Sequence, residues 1–228
     1  MAGMRVALDG PGSSGKSSIG AAAAARLGYR FLDTGIVYRA ITLAAVMRDI
    51  DPADQEALVA IVPEIGLITD DAGAIRRVTL HGEDVTDRIH VPEVDRNVSA
   101  VSAQPKVRTA LLGLQRDIAA HGRIILAGRD IGTVVLPDAE LKLFLEVSVE
   151  ERARRRAAER GLQLDSAEAG VILADLRRRD RLDGSRAVAP MRVPDDAVIV
   201  RSDGRTFEES VDAVVAIIEA AEQGTPGE

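Results

Sequence analysis

The stretch "DGPGSSGKSS", Asp9 to Ser18, decides the fold, because it sets three glycines and four serines between an apolar run and an alanine-rich one. Gly10 to Ser17 fits the spacing G-x-x-x-x-G-K-S, and its flanks fit as well. "MRVALD" (residues 4–9) reads as a short strand, and "IGAAAAARLG" (residues 19–28) reads as a helix stopped by a glycine. In that setting glycines let the backbone wrap closely, successive N–H groups point inward, and the helix adds its positive end. A di- or triphosphate is cradled. The expected cradle is Gly10, Pro11, Gly12, Ser13, Ser14, Gly15, Lys16, Ser17 and Ser18. Lys16 would reach the β and γ phosphates, and the Ser17 hydroxyl would ligate Mg²⁺. The cation is distinctive in this chain, where only Lys16, Lys106 and Lys142 among 29 basic residues are lysine. A compact ammonium stands where phosphates need one.

The rest of the composition narrows the class. With 228 residues and 46% hydrophobic content the chain can fill a sizeable core, which excludes disordered and fibrous classes. The absence of cysteine removes disulfides, thiolate catalysis and cysteine-ligated metals, and His81, His90 and His121 show no zinc spacing. A net charge of −7 and five aromatic residues argue against nucleic acid as a partner. No apolar run reaches the roughly 18 to 20 residues of a membrane span, and the start does not read as a secretory signal, so no membrane partner and a cytoplasmic address are expected. A monomer is expected too.

Working outward from the loop, "YRFLD" reads as a second strand and "IVYRAITLAAVMRD" as a helix, so the chain begins βαβα and predicts a parallel sheet covered by helices. Residues 64–89 then alternate and carry the turn signals "DDAG" and "HGED", which predicts a small antiparallel insertion. Beyond it come a helix ending at Gly122, buried strands in "RIILAG" and "LKLFLEV", two arginine-rich helices, a strand "AVIV" and a closing amphipathic helix. "GTPGE" is expected to fray. The expected fold class is α/β, a P-loop three-layer fold with a five-stranded parallel sheet, a small antiparallel β insert and a helical arginine-rich lid. Residues 1–62 and 98–228 form the core, 63–97 the insert and 152–186 the lid.

No N-K-x-D guanine-reading element is present, and "RIILAG" leads into "RD" rather than into the D-E of motor ATPases. A small-molecule kinase is the natural class, and it needs a second anion site facing the loop. Strand ends deliver "DTGIVYR" and "GRDIGT" to that crevice, which points to Arg39, Arg129 and Asp130. From residue 152 to 186, ten arginines stand against six acids. Arg152, Arg155, Arg156 and Arg160 share a helical face, and so do Arg179, Asp183 and Arg186 if their helix persists through Gly184. Such a cluster suits a lid that closes over a transferring phosphate. A kinase of another small phosphate or alcohol acceptor, and a nucleotide-binding regulatory protein, remain the alternatives.

The segments "DGPGSSGKSS", "LDTGIVYRA", "VSAVSAQPKVRTALLGLQR", "AGRDIGTVVLPDAELKLFLEVSVEERARRR" and "RRRDRLDGSRAVAP" resemble the bacterial cytidylate kinases, a nucleoside monophosphate kinase family, in family order over nearly the whole chain. The resemblance implies ATP as phosphoryl donor with Mg²⁺, and CMP and dCMP as acceptors. It implies that Ser99, Arg108 and Asp130 read cytosine, and that Thr34, Tyr38 and Arg39 lie near the acceptor. Arg129 is implied near the phosphate, with Arg179, Asp183 and Arg186 approaching from the lid. Lys16, Arg129, Arg152, Arg155 and Arg179 would stabilise the transferring charge. Asp33 is an outer-shell candidate for the metal, with helix capping as its other reading. The family often has serine at Thr34 and an acid at Ala127, so no role is assigned to Ala127.

Overall fold

The structure, a computed structural model, describes residues 3–70 and 75–224. Strand β1 (Arg5–Asp9) lies at the centre of a five-stranded parallel sheet. With β2 (Arg30–Asp33), β6 (Ile124–Gly128), β7 (Leu141–Glu146) and β8 (Val198–Arg201) the order is β2-β6-β1-β7-β8. Alternate residues of these strands feed opposite faces. Val6, Leu8, Ile125 and Leu143 join the helices α1 (Lys16–Leu27) and α8 (Phe207–Glu222) on one side, while Ala7, Leu32, Ile124 and Leu126 meet Ala119 and the turn after β6 on the other. The alanine run of α1 is explained by that packing: a Cβ at Gly20 would lie 2.7 Å from Phe31 and 2.9 Å from Leu8. Small residues let the helix sit close to the sheet.

The insertion is the antiparallel sheet β3 (Ile65–Thr69), β4 (Ile75–Leu80) and β5 (Glu83–Asp84). Its "HGED" turn places His81 and Gly82 both at positive φ, 51° and 84°, as a two-residue hairpin requires. Of the "DDAG" turn only Asp70 lies within the described residues, and so do neither the last four residues of "GTPGE" nor Met1.

Two helices were not anticipated. Short α3 (Gln55–Ile61) starts under an Asp54 cap, and α4 (Pro92–Ser102) starts with proline at its first position. Helix α4 runs through the expected boundary at 97/98. Its Val94, Val98 and Val101 belong to the same apolar cluster as Val78 and Leu80 of the insert, Val37 and Ile41 of α2 (Gly35–Met47), and Leu111 of α5 (Pro105–Ala119). The insert therefore shares its core with the helices below it. Helix α5 also ends three residues before Gly122.

The arginine-rich segment forms α6 (Val149–Glu159) and α7 (Ala167–Gly184), closed on a small cluster of its own around Ala157, Ile172 and Leu176. Helix α7 does persist through Gly184. Among the described residues no helix is long and apolar enough to cross a membrane.

Candidate active site

The carboxyl ends of β1, β2 and β6 deliver Asp9, Asp33 and Gly128 to one crevice. The phosphate loop opens on its donor side. Gly15, at φ 89°, turns the chain into α1, and the Ser18 hydroxyl returns to its carbonyl at 3.0 Å. A Cβ at Gly10 would stand 2.7 Å from the Leu145 carbonyl oxygen, so the loop lies flat on β7. The Ser14 hydroxyl is buried beside it without a partner. Lys16 is buried and donates to the Pro11 carbonyl at 3.1 Å, while burial and the nearby Arg129 push its ammonium well below the usual lysine range. Incoming phosphates would reverse that penalty.

Two cavities meet at this loop. One, of ≈ 590 Å³, runs over Ser13 to Ile19 toward Arg155 and Phe207. The other, of ≈ 360 Å³, joins Lys16 and Ser17 to the residues expected to hold the acceptor. Ser13, Lys16 and Ser17 line both, so a donor in one and an acceptor in the other would face each other across the lysine.

The second cavity is lined by charge pairs that are buried or largely so. Arg108 is ion-paired with Asp130, donates to the Ser102 carbonyl at 3.0 Å and lies 5.5 Å from the centre of the Tyr38 ring. Ser99 lines the same cavity. Arg129 pairs with Asp183 at 3.0 Å, and Asp183 also receives Arg186, which donates to Ser102 Oγ at 2.9 Å. Burial alone would raise the Asp183 carboxyl, but Arg129 and Arg186 outweigh it and hold it below its ordinary range. Burial lowers Arg179 and Arg186, whose Nε groups have no hydrogen-bond partner. Arg39 donates to the Ile89 carbonyl at 2.9 Å and to Asp95 at 2.7 Å. The Thr34 hydroxyl is engaged by the Ala127 carbonyl at 3.0 Å, so it pins β2 to β6.

Guanidinium groups also reach the loop itself. Arg152 donates to the Gly12 carbonyl at 2.9 Å and to Asp180 at 3.0 Å, fastening the lid helices to the loop. A Cβ at Gly12 would lie 3.3 Å from Arg129 Nη2 and 3.8 Å from the Arg179 guanidinium. Arg155 stands apart: it donates to Glu151 at 2.7 Å and to the Ser202 carbonyl, and it lines only the donor-side cavity of the two. Sharing a helical face with Arg152 did not bring the two arginines to the same place.

For a metal, the Ser17 hydroxyl donates to Asp33 Oδ2, while Asp33 Oδ1 accepts the Gly35 N–H at 2.8 Å. Asp33 thus reaches two places with one side chain, the start of α2 with one oxygen and Ser17 with the other. Among the described residues no group of three or more His, Cys, Asp or Glu could hold an ion by itself. A hydroxyl backed by one carboxylate is a set of hard oxygen donors, which suits an ion held largely by phosphates and water.

The model of the cytidylate kinase family matches residues 6–220. The chain belongs to the cytidylate kinase family. The cytidylate kinase of Geobacter sulfurreducens is 43% identical over 225 residues, covering 99% of this chain and 97% of its own. That of Mycolicibacterium paratuberculosis is 46% identical over 208 residues, 91% of each chain. A solved gluconokinase from Sinorhizobium meliloti 1021 aligns with a TM-score of 0.50 at 15% identity, over 96% of this chain and 94% of that one. At that distance the likeness carries the P-loop kinase fold and not the acceptor. In this cytidylate kinase family member the cavity is also lined by His90, Asp95 and Ser102, for which the sequence offers no role, and by Arg156 of the arginine face. Arg156 was within reach of the helical-face argument, whereas Asp95 meets Arg39 across 56 positions and carries no local signal.

Proposed function

We propose that this member of the cytidylate kinase family transfers the γ-phosphoryl group of ATP to CMP and dCMP, giving CDP or dCDP and ADP. The observation that carries the acceptor assignment is the buried Arg108–Asp130 pair, which shares a cavity with Lys16. Cytosine offers an N4 amine to a carboxylate and N3 and O2 acceptors to a guanidinium and a hydroxyl, the groups of Asp130, Arg108 and Ser99. Uracil would turn a carbonyl oxygen on Asp130 and leave a buried charge opposed.

The chemistry asks for positioning and charge neutralisation. The acceptor is already a phosphate anion near neutral pH, so no general base is required. Arg39, Arg129 and Arg186 hold it, with Thr34 and Tyr38 beside them and Asp183 toward the ribose. Lys16, Arg152 and Arg179 stabilise the charge that develops on the transferring group. Arg155 acts from the donor side. Gly10 to Ser18 cradle the ATP phosphates, and a Mg²⁺ ion would be held by Ser17 with Asp33 behind it and would supply positive charge against the phosphates. The lid, residues 152–186, closes the cleft and excludes water. We read the protein as a monomer working in the cytoplasm on small-molecule nucleotides, without nucleic acid or membrane.

The test is product analysis by ion exchange. Wild-type protein with ATP, Mg²⁺ and CMP should give CDP and ADP in equal amounts, and Lys16→Ala should lower kcat by about 10²–10³. No CDP from the wild type sinks the reading.

A further inference from the structure

The acceptor cavity contains a carboxylate that the reaction does not use. Asp95 of α4 is 8% exposed. Its Oδ1 accepts from Arg39 at 2.7 Å and lies 3.7 Å from Arg179 Nη1, while Oδ2 faces Arg156 at 3.5 Å and Arg160 at 3.9 Å. The four arginines come from α2, from α6 and its C-terminal end, and from α7, so a single side chain gathers the core, the lid and the helix under the insert. Burial would raise the Asp95 carboxyl, but Arg39, Arg179 and Arg156 hold it below the ordinary carboxylate range.

Guanidinium groups take a carboxylate and a phosphate in the same way, through charge-assisted bonds to paired oxygens. Arg39 is assigned to the acceptor phosphate and Arg179 to the phosphoryl group that joins it, and both face Asp95. Without a counter-charge, buried arginines at this spacing would repel one another and splay the cleft. We propose that Asp95 is a displaceable stand-in for the acceptor phosphate, which keeps Arg39 and Arg179 assembled across the cleft and competes with the phosphate for them. Naming CMP as the ligand rests on the acceptor reading given above; the competition itself concerns any phosphate anion. Asp95 is a positioning residue whose effect on binding opposes its effect on stability. Removing its charge leaves the arginines uncompensated in the empty cleft, and an arriving phosphate then relieves more than it does in the wild type.

Asp95→Asn keeps an oxygen acceptor for Arg39, which the Ile89 carbonyl also holds at 2.9 Å. The variant should unfold at a lower temperature than the wild type when empty and gain more from ligand. Its KM for CMP should fall about fivefold or more, with the KM for ATP little changed. Inorganic phosphate, titrated by thermal shift, should bind the variant more tightly as well. A merely structural role would raise KM, so the direction decides. Asp95→Glu pushes the carboxylate further toward the arginines and should weaken both ligands, which keeps the test open if Asp95→Asn does not fold. Equal or weaker phosphate binding by Asp95→Asn, or unchanged binding by Asp95→Glu, overturns the proposal. Phosphate binding that tightens in Asp95→Asn and weakens in Asp95→Glu, beside a wild type that does not phosphorylate CMP, would sink the acceptor assignment and leave the counter-ion role standing.

Discussion

The Asp9 carboxylate accepts the backbone N–H of Ile131 on one oxygen and that of Gly132 on the other, each at 2.8 Å. Asp9 ends the strand from which the phosphate loop springs, and Ile131 follows Arg129 and Asp130 directly. One buried carboxylate thus fixes the donor loop and the acceptor loop to the same point.

Burial pushes the Asp9 carboxyl up to about 6 from 3.8, against the two N–H groups that favour its ionised form. A raised carboxyl holds its proton more firmly in the folded state, so its contribution to stability is fullest below pH 3.8 and is lost as pH rises toward 6. Between those values the wild type should lose about 3 kcal/mol that Asp9→Asn does not lose. Denaturant unfolding at a series of pH values checks this, and parallel curves for the two proteins would contradict it.

Two glycines of the loop should fail differently when given a methyl group. Gly10→Ala drives a Cβ to 2.7 Å from the Leu145 backbone oxygen, which cannot swing away, so stability should fall by about 1–3 kcal/mol. Gly12→Ala meets only the ends of Arg129 and Arg179. Those can move, so thermal stability should hold while kcat drops as the guanidiniums leave the transferring phosphate. Steady-state kinetics beside thermal unfolding separates the two.

Asp130→Asn should cost stability, about 3–5 kcal/mol, because it leaves Arg108 buried beside a neutral group. Its amide can donate where the carboxylate could not, so the preference for CMP over UMP, as a ratio of kcat/KM, should shrink by about tenfold or more. Retained preference with lost stability would make the pair purely structural.

Local periodicity made the central sheet legible. Runs such as "RIILAG" and "LKLFLEV" are buried on both faces, α1 stops at Gly28, and α6 and α7 begin under the Ser148 and Ser166 caps. The helix α4 escaped because "VPEVDRNVSAVS" mixes charged residues with valines whose partners lie in the insert and in α5; only Pro92 marked its start. The position of Lys16 could be read from the loop motif, and those of Arg129 and Asp130 because strand ends in an open α/β sheet define the crevice. Asp9 and Asp95 could not. Each is one acid among 36, and its meaning depends on groups brought to it by the folded chain, Ile131 and Gly132 for the first and arginines of three helices for the second.

The central claim is the identity of the acceptor, and kcat/KM across CMP, dCMP, UMP, AMP and GMP with ATP and Mg²⁺ tests it most directly. CMP and dCMP should exceed the others by at least about tenfold, since a wrong base leaves the Arg108–Asp130 pair opposed or unmatched. Equal or higher values with UMP or AMP would contradict the assignment.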